Sequence, residues 1–65
     1  MNIRCNDQEV QVEARNLATA LLELGYQDLV VATALNGEFV PRTLRAETTL
    51  RPGDTIDIVA PQQGG

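Results

Sequence analysis

The sequence predicts an α+β domain: a mixed sheet of four to five strands with one helix packed on one face. Three observations carry this. Runs of alternating apolar and polar residues lie near both ends of the chain, and an apolar run followed by an Asn-Gly turn lies in its middle. A single stretch changes to the helical period near 3.6. The resulting order, β-β-α-β-β-β, leaves one helix to cover a sheet built from both halves of the chain. At 65 residues the chain is one domain at most.

The first run is "MNIRCNDQEVQVEA". Met1, Ile3 and Cys5 share one face, and Asn2 and Arg4 the other. The alternation pauses at Asn6-Asp7, two turn formers, and resumes with Val10 and Val12 against Glu9, Gln11 and Glu13. Two period-2 runs so separated read as a β-hairpin. Cys5 falls on the inner face, where a free thiol packs as a small hydrophobe. Arg4, the neighbour that could activate it, points to the opposite face.

In "NLATALLELG" the period changes. Leu17, Leu21 and Leu24 stand at i, i+4 and i+7, with Ala18 and Leu22 alongside, so a short amphipathic helix with a broad apolar face is predicted. Asn16 supplies an N-cap oxygen, and Gly25 a C′ position where positive φ is needed. About eight residues lie between these caps, too few for a helix to persist without packing on the sheet.

Residues 30–40 form a second hairpin. Its turn is Asn36-Gly37, the pair that a type I′ turn favours because both positions take positive φ. The run 30–35 is apolar on both faces, which predicts an interior strand or one shielded by a partner. Pro41 ends the strand that follows. Residues 42–54 read as irregular, with Leu44 and Leu50 pinning a loop over the core and Pro52-Gly53 turning the chain. "TIDIVA" is the last strand, Ile56 and Ile58 inward, Thr55 and Asp57 outward. Pro61, which lacks an N–H, closes the ladder.

Composition excludes several functions. There is no histidine and one cysteine, which removes the usual ligands of a zinc site and the commonest general base. A domain of this size has little room for a catalytic pocket of about 300 Å³ or more. The net charge is −4 and the five cations are all arginine, a balance that disfavours nucleic acid and anionic membranes and suits a partner with a basic face. Glu38, Glu47, Asp54 and Asp57 are the candidates for such a face. No apolar run approaches the roughly 20 residues of a membrane span. The chain enters its first strand at once, without a leader, so the expected location is cytoplasmic. These absences leave the end of the chain, "PQQGG", as the place for chemistry.

Taken together, several features resemble the ThiS family, the sulfur carrier proteins of thiamine biosynthesis. They are Asn6 in the first turn, the capped "NLATALLEL", Asn36-Gly37 followed by Val40-Pro41-Arg42, Leu50, Gly53-Asp54 before "TIDIV", and the terminal Gly64-Gly65. The resemblance spans the whole chain. It departs at Leu44, where the family often has tryptophan, and at Pro61-Gln62-Gln63, where small or aliphatic residues are also common.

The resemblance implies a β-grasp, ubiquitin-like fold over residues 1–60, with the first and last strands parallel at the sheet centre, and a flexible tail at 61–65. It implies a carrier that is not an enzyme and binds no cofactor or metal. A ThiF-like adenylating enzyme would spend ATP on the carboxylate of Gly65. A sulfur donor would then turn it into a thiocarboxylate, and a ThiG-like thiazole synthase would take the sulfur. Gly64, Gln63, Gln62 and Pro61 would thread into the partner, glycine allowing close backbone approach. Two other readings share the fold: the small subunit of molybdopterin synthase, and a ubiquitin-type modifier, which without lysine could not form chains through its own side chains. A β-grasp interaction module with an inert tail is the blandest.

Overall fold

The computed structural model describes residues 1–26 and 30–60. The expected tail, residues 61–65, lies outside the described residues, as do residues 27–29. The elements are β1 (Asn2–Cys5), β2 (Gln8–Gln11), α1 (Leu17–Glu23), β3 (Ala32–Leu35), β4 (Glu38–Val40), a 3-10 helix (Arg42–Glu47) and β5 (Thr55–Val59). All five strands join one sheet in the order β2-β1-β5-β3-β4. β1 and β5 run parallel, and every other pair is antiparallel. The last strand therefore lies between the two hairpins.

Local sequence explains both hairpins. Asn6 and Asp7 take φ of 49° and 70°, and Asn36 and Gly37 take 51° and 85°. Two successive left-handed residues give the turn whose twist matches antiparallel strands, and asparagine and aspartate tolerate that region better than other side chains. Register follows: Cys5 faces Gln8 and Leu35 faces Glu38 across the turns.

Helix α1 begins where Asn16 accepts a hydrogen bond from the Thr19 N–H at 2.8 Å. It ends in a Schellman motif, with Tyr26 N–H donating to Leu21 C=O at 2.8 Å and Gly25 N–H to Leu22 C=O at 3.2 Å, Gly25 at φ 91°. The buried face is Leu17, Ala20 and Leu21, narrower than the expected one, for Leu22 is 54% exposed. Leu22 lies about 100° beyond Leu21 around the axis, which takes it off the sheet.

The core lies between α1 and one face of the sheet. It gathers Ile3, Cys5 and Val12 from the first hairpin, Leu17, Ala20 and Leu21 from α1, Val31 and Val40 from the second hairpin, and Leu50, Ile56 and Ile58. Burying each larger aliphatic side chain contributes about 1.5–3 kcal/mol.

Residues 42–54 differ from expectation in two respects. The segment opens with a 3-10 helix, and Leu44 is 49% exposed, so only Leu50 pins the loop. Three residues per turn separate successive side chains by about 120°. Arg45 takes the inward direction, and its neighbour Leu44 is turned out. The Arg45 guanidinium donates from Nη2 to Val31 C=O (2.6 Å) and from Nε to the Thr33 hydroxyl (3.1 Å). Thr33, the one buried polar residue among those described, donates in turn to Val40 C=O. Among the described residues no buried side-chain nitrogen or oxygen lacks a hydrogen-bond partner.

Candidate functional site

The strand that bears the chain end is the central one of the sheet. β5 pairs with β1 at Thr55 and Ile56 and with β3 from Ile56 to Val59. Its inward residues Ile56 and Ile58 are buried at 0% and 6% exposure. Whatever follows Ala60 is thus attached to the middle of the fold rather than to a fraying edge. Pro61, Gln62, Gln63, Gly64 and Gly65 lie outside the described residues.

Among the described residues no helix covers the sheet face opposite α1, and that face has two halves. Across β1 and β2 it is polar: Asn2 faces Gln11, and Arg4 faces Glu9. Across β5, β3 and β4 it is apolar: Val59 lies opposite Ala32, and Phe39 opposite Ala34. Phe39 and Val59 are 67% and 62% exposed, and Val30, just before β3, is 78% exposed. The doubly apolar run 30–35 is therefore interior within the sheet, as β3, and open on one face. Exposed apolar surface of this kind marks binding sites more often than chance. The sequence drew attention to residues 30–35 but not to Phe39 and Val59. Their signal was the outward phase of each strand, fixed by the buried Val40 and Ile58 beside them.

The acidic candidates separate. Asp54 is engaged in the loop: its carboxylate accepts from Arg51 N–H (2.8 Å) and from the Asn36 amide (3.1 Å). Asp57 is exposed on the open face, opposite Ala34 in register and between the two halves. Glu38 and Glu47 are also exposed.

Cys5 is free and buried, as expected for a packing residue. Its thiol titrates above the ordinary value of 9.0, first because burial penalises the thiolate and second because Asp57 is negative. The unfolded chain then releases this proton before the folded one does. The stabilising contribution is whole below pH 9.0 and is lost as pH rises through the folded value. Urea unfolding followed from about pH 8 to about pH 10 should show a steeper loss of stability for the native protein than for Cys5→Ala. Identical slopes would contradict it.

Beside Cys5 a recess of about 210 Å³ is lined by Asn6, Gln8, Val10, Leu24 and Tyr26, below the roughly 300 Å³ at which ligand pockets begin. Among the described residues no three His, Cys, Asp or Glu side chains cluster as metal ligands. Among the described residues no helix is long and apolar enough to cross a membrane.

One helix across a mixed five-stranded sheet, with the first and last strands parallel at its centre, defines a β-grasp protein. The model of the ThiS family matches residues 2–65, and the chain belongs to that family. It is a sulfur carrier of thiamine biosynthesis, a small carrier protein rather than an enzyme, and its partners belong to the thiamine pathway. The fold agrees with a crystal structure of a thiamine biosynthesis protein (ThiS) from Geobacter metallireducens, at a TM-score of 0.83 and 29% identity over the whole of both chains. A solution structure of a thiamine biosynthesis protein from the same organism matches at a TM-score of 0.78 and 29% identity, over all of this chain and 88% of the other. None of the curated proteins compared matches this chain.

Proposed function

We propose that the carboxylate of Gly65 is the group that carries sulfur. An adenylating enzyme would join it to AMP at the expense of ATP, releasing pyrophosphate. A carboxylate is a poor electrophile, and AMP gives it a leaving group. Sulfur delivered at the oxidation level of sulfide would attack the carbonyl carbon, AMP would depart with the electron pair of the C–O bond, and a thiocarboxylate would remain. A thiazole synthase would then receive the sulfur. Sulfur held on a protein does not diffuse away as sulfide, and the partners supply the catalysis, as with other group carriers.

The observation that carries this reading is the family match, which runs through the terminal Gly64-Gly65. In support, Pro61, Gln62 and Gln63 make a short spacer, and two residues without side chains make the narrowest thread into a partner's active site. Capture of a C-terminal carboxylate is an established mode of recognition. The apolar half of the open sheet face, Phe39, Val59 and Ala32, serves as the docking surface, with Asp57 beside it to meet a cation on the partner. Charge at its margin governs encounter rate more than affinity.

Intact mass tests this directly. Incubated with a ThiF-like adenylating enzyme, ATP and a sulfide source, the protein should gain the mass of one sulfur in place of one oxygen, at Gly65. If a competent adenylating enzyme leaves only the unmodified mass, the proposal fails.

A further inference from the structure

β5 outruns its parallel neighbour. The ladder between β1 and β5 reaches only Cys5 and Ile56 before β1 turns away at Asn6. Beyond that point the β1 side of Ile58 would present an unpaired N–H and C=O. Asn6 fills the gap with its side chain. Its Oδ1 accepts from Ile58 N–H at 2.8 Å, and its Nδ2 donates to Ile58 C=O at 3.0 Å. Its own backbone N–H donates to Ile56 C=O at 3.0 Å. A side-chain amide thus stands in for one further peptide unit of β1. The left-handed backbone of Asn6, φ 49°, is what turns that amide back along β5.

We propose that Asn6 is a positioning residue for sulfur transfer, acting by fixing the point at which the chain leaves the sheet. This rests on the carrier reading above. Seven residues follow Ile58 and nine follow Ile56. At roughly 3.3–3.6 Å per residue their reach is at most about 25 Å and about 32 Å. With Asn6 in place β5 is held through Ile58 on its β1 side and through Val59 on its β3 side. Without it the end of β5 hangs from β3 alone. Backbone freedom gained there must be lost again each time the carboxylate is presented, a cost of about tenfold for one residue. Docking through the sheet face is unaffected, so the loss falls on turnover and not on KM.

The fold contains its own control. Asn36 holds the other end of β5 in the same manner, accepting from Thr55 N–H at 2.9 Å and donating its backbone N–H to Thr55 C=O at 2.7 Å. It too is left-handed, at φ 51°. Glycine at either position keeps the turn and deletes one amide.

The experiment compares Asn6→Gly, Asn6→Asp and Asn36→Gly with the native protein in pyrophosphate release and thiocarboxylate formation, well below every melting temperature. Asn6→Gly should lower kcat about fivefold to tenfold at unchanged KM for the adenylating enzyme. Asn6→Asp, which still accepts from Ile58 N–H but cannot donate to its C=O, should fall between. Asn36→Gly should turn over at the native rate despite a comparable loss of stability. Hydrogen exchange at Ile58 N–H should accelerate in Asn6→Gly alone. Equal slowing by both glycine variants, or native turnover in Asn6→Gly, overturns the assignment. A native protein that forms no thiocarboxylate strikes the carrier reading itself, and this inference with it.

Discussion

Gly65→Leu is expected to leave folding untouched and to slow thiocarboxylate formation by at least about 100-fold, the scale on which a displacement of about 1 Å at a reacting centre acts. In the proposed mechanism the reacting carbon belongs to residue 65 itself. A branched side chain on the adjacent Cα widens the thread and crowds the approach of both the phosphate of ATP and the sulfur nucleophile. It also restricts the backbone angles that glycine leaves open. The folded part does not share this sensitivity. Among the described residues the last buried one is Ile58, seven positions earlier, and substitutions remote from a core stay within about 0.5 kcal/mol. Thermal melting should therefore superimpose on that of the native protein while pyrophosphate release collapses. Docking through Phe39 and Val59 should persist, so that the variant competes with native protein for the adenylating enzyme. A Gly65→Leu protein that is charged with sulfur at the native rate would remove Gly65 from the mechanism.

Much of this fold was legible because its signals are local. Asn6-Asp7 and Asn36-Gly37 mark turns that need positive φ, and the structure places all four residues there. Asn16 and Gly25 bracket α1 as capping chemistry requires. Strand order was not legible from periodicity. Pairing β1 with β5 joins residues about 50 positions apart, and alternation says only which face a residue takes, not which strand it meets. That order came from the family resemblance. The 3-10 helix escaped because a period of three over six residues imitates irregular chain, and Arg45 reversed the expected polarity by turning inward to Val31 and Thr33. Of the candidate site, the terminal glycines were visible as composition. The open apolar face was visible only in part, since it depends on strand neighbours, and the pair of hydrogen bonds between Asn6 and Ile58 spans 52 positions.

Ile56→Ala separates the two ways in which this carrier can fail. Ile56 is fully buried at the centre of β5, with Cys5 and Leu35 as its neighbours in the flanking strands. Truncating a buried isoleucine costs about 2–5 kcal/mol, because the transfer energy is lost and the cavity left behind closes only partly. At about 0.05–0.15 kcal/mol per residue the whole domain is stable by roughly 3–10 kcal/mol. The substitution thus removes a large share of total stability, and the melting temperature should fall by at least about 10 °C. Ile56→Val, which deletes one methyl group, should cost about 0.5–1.5 kcal/mol. Sulfur loading by Ile56→Ala should fall in proportion to the folded fraction and recover on cooling or on adding the adenylating enzyme in excess, since binding the folded form shifts the equilibrium. Gly65→Leu should show neither recovery. If Ile56→Ala melts with the native protein, β5 is not the strand around which this core is built. If it stays folded yet is not loaded, the centre of the strand has a part in transfer beyond holding its end in place.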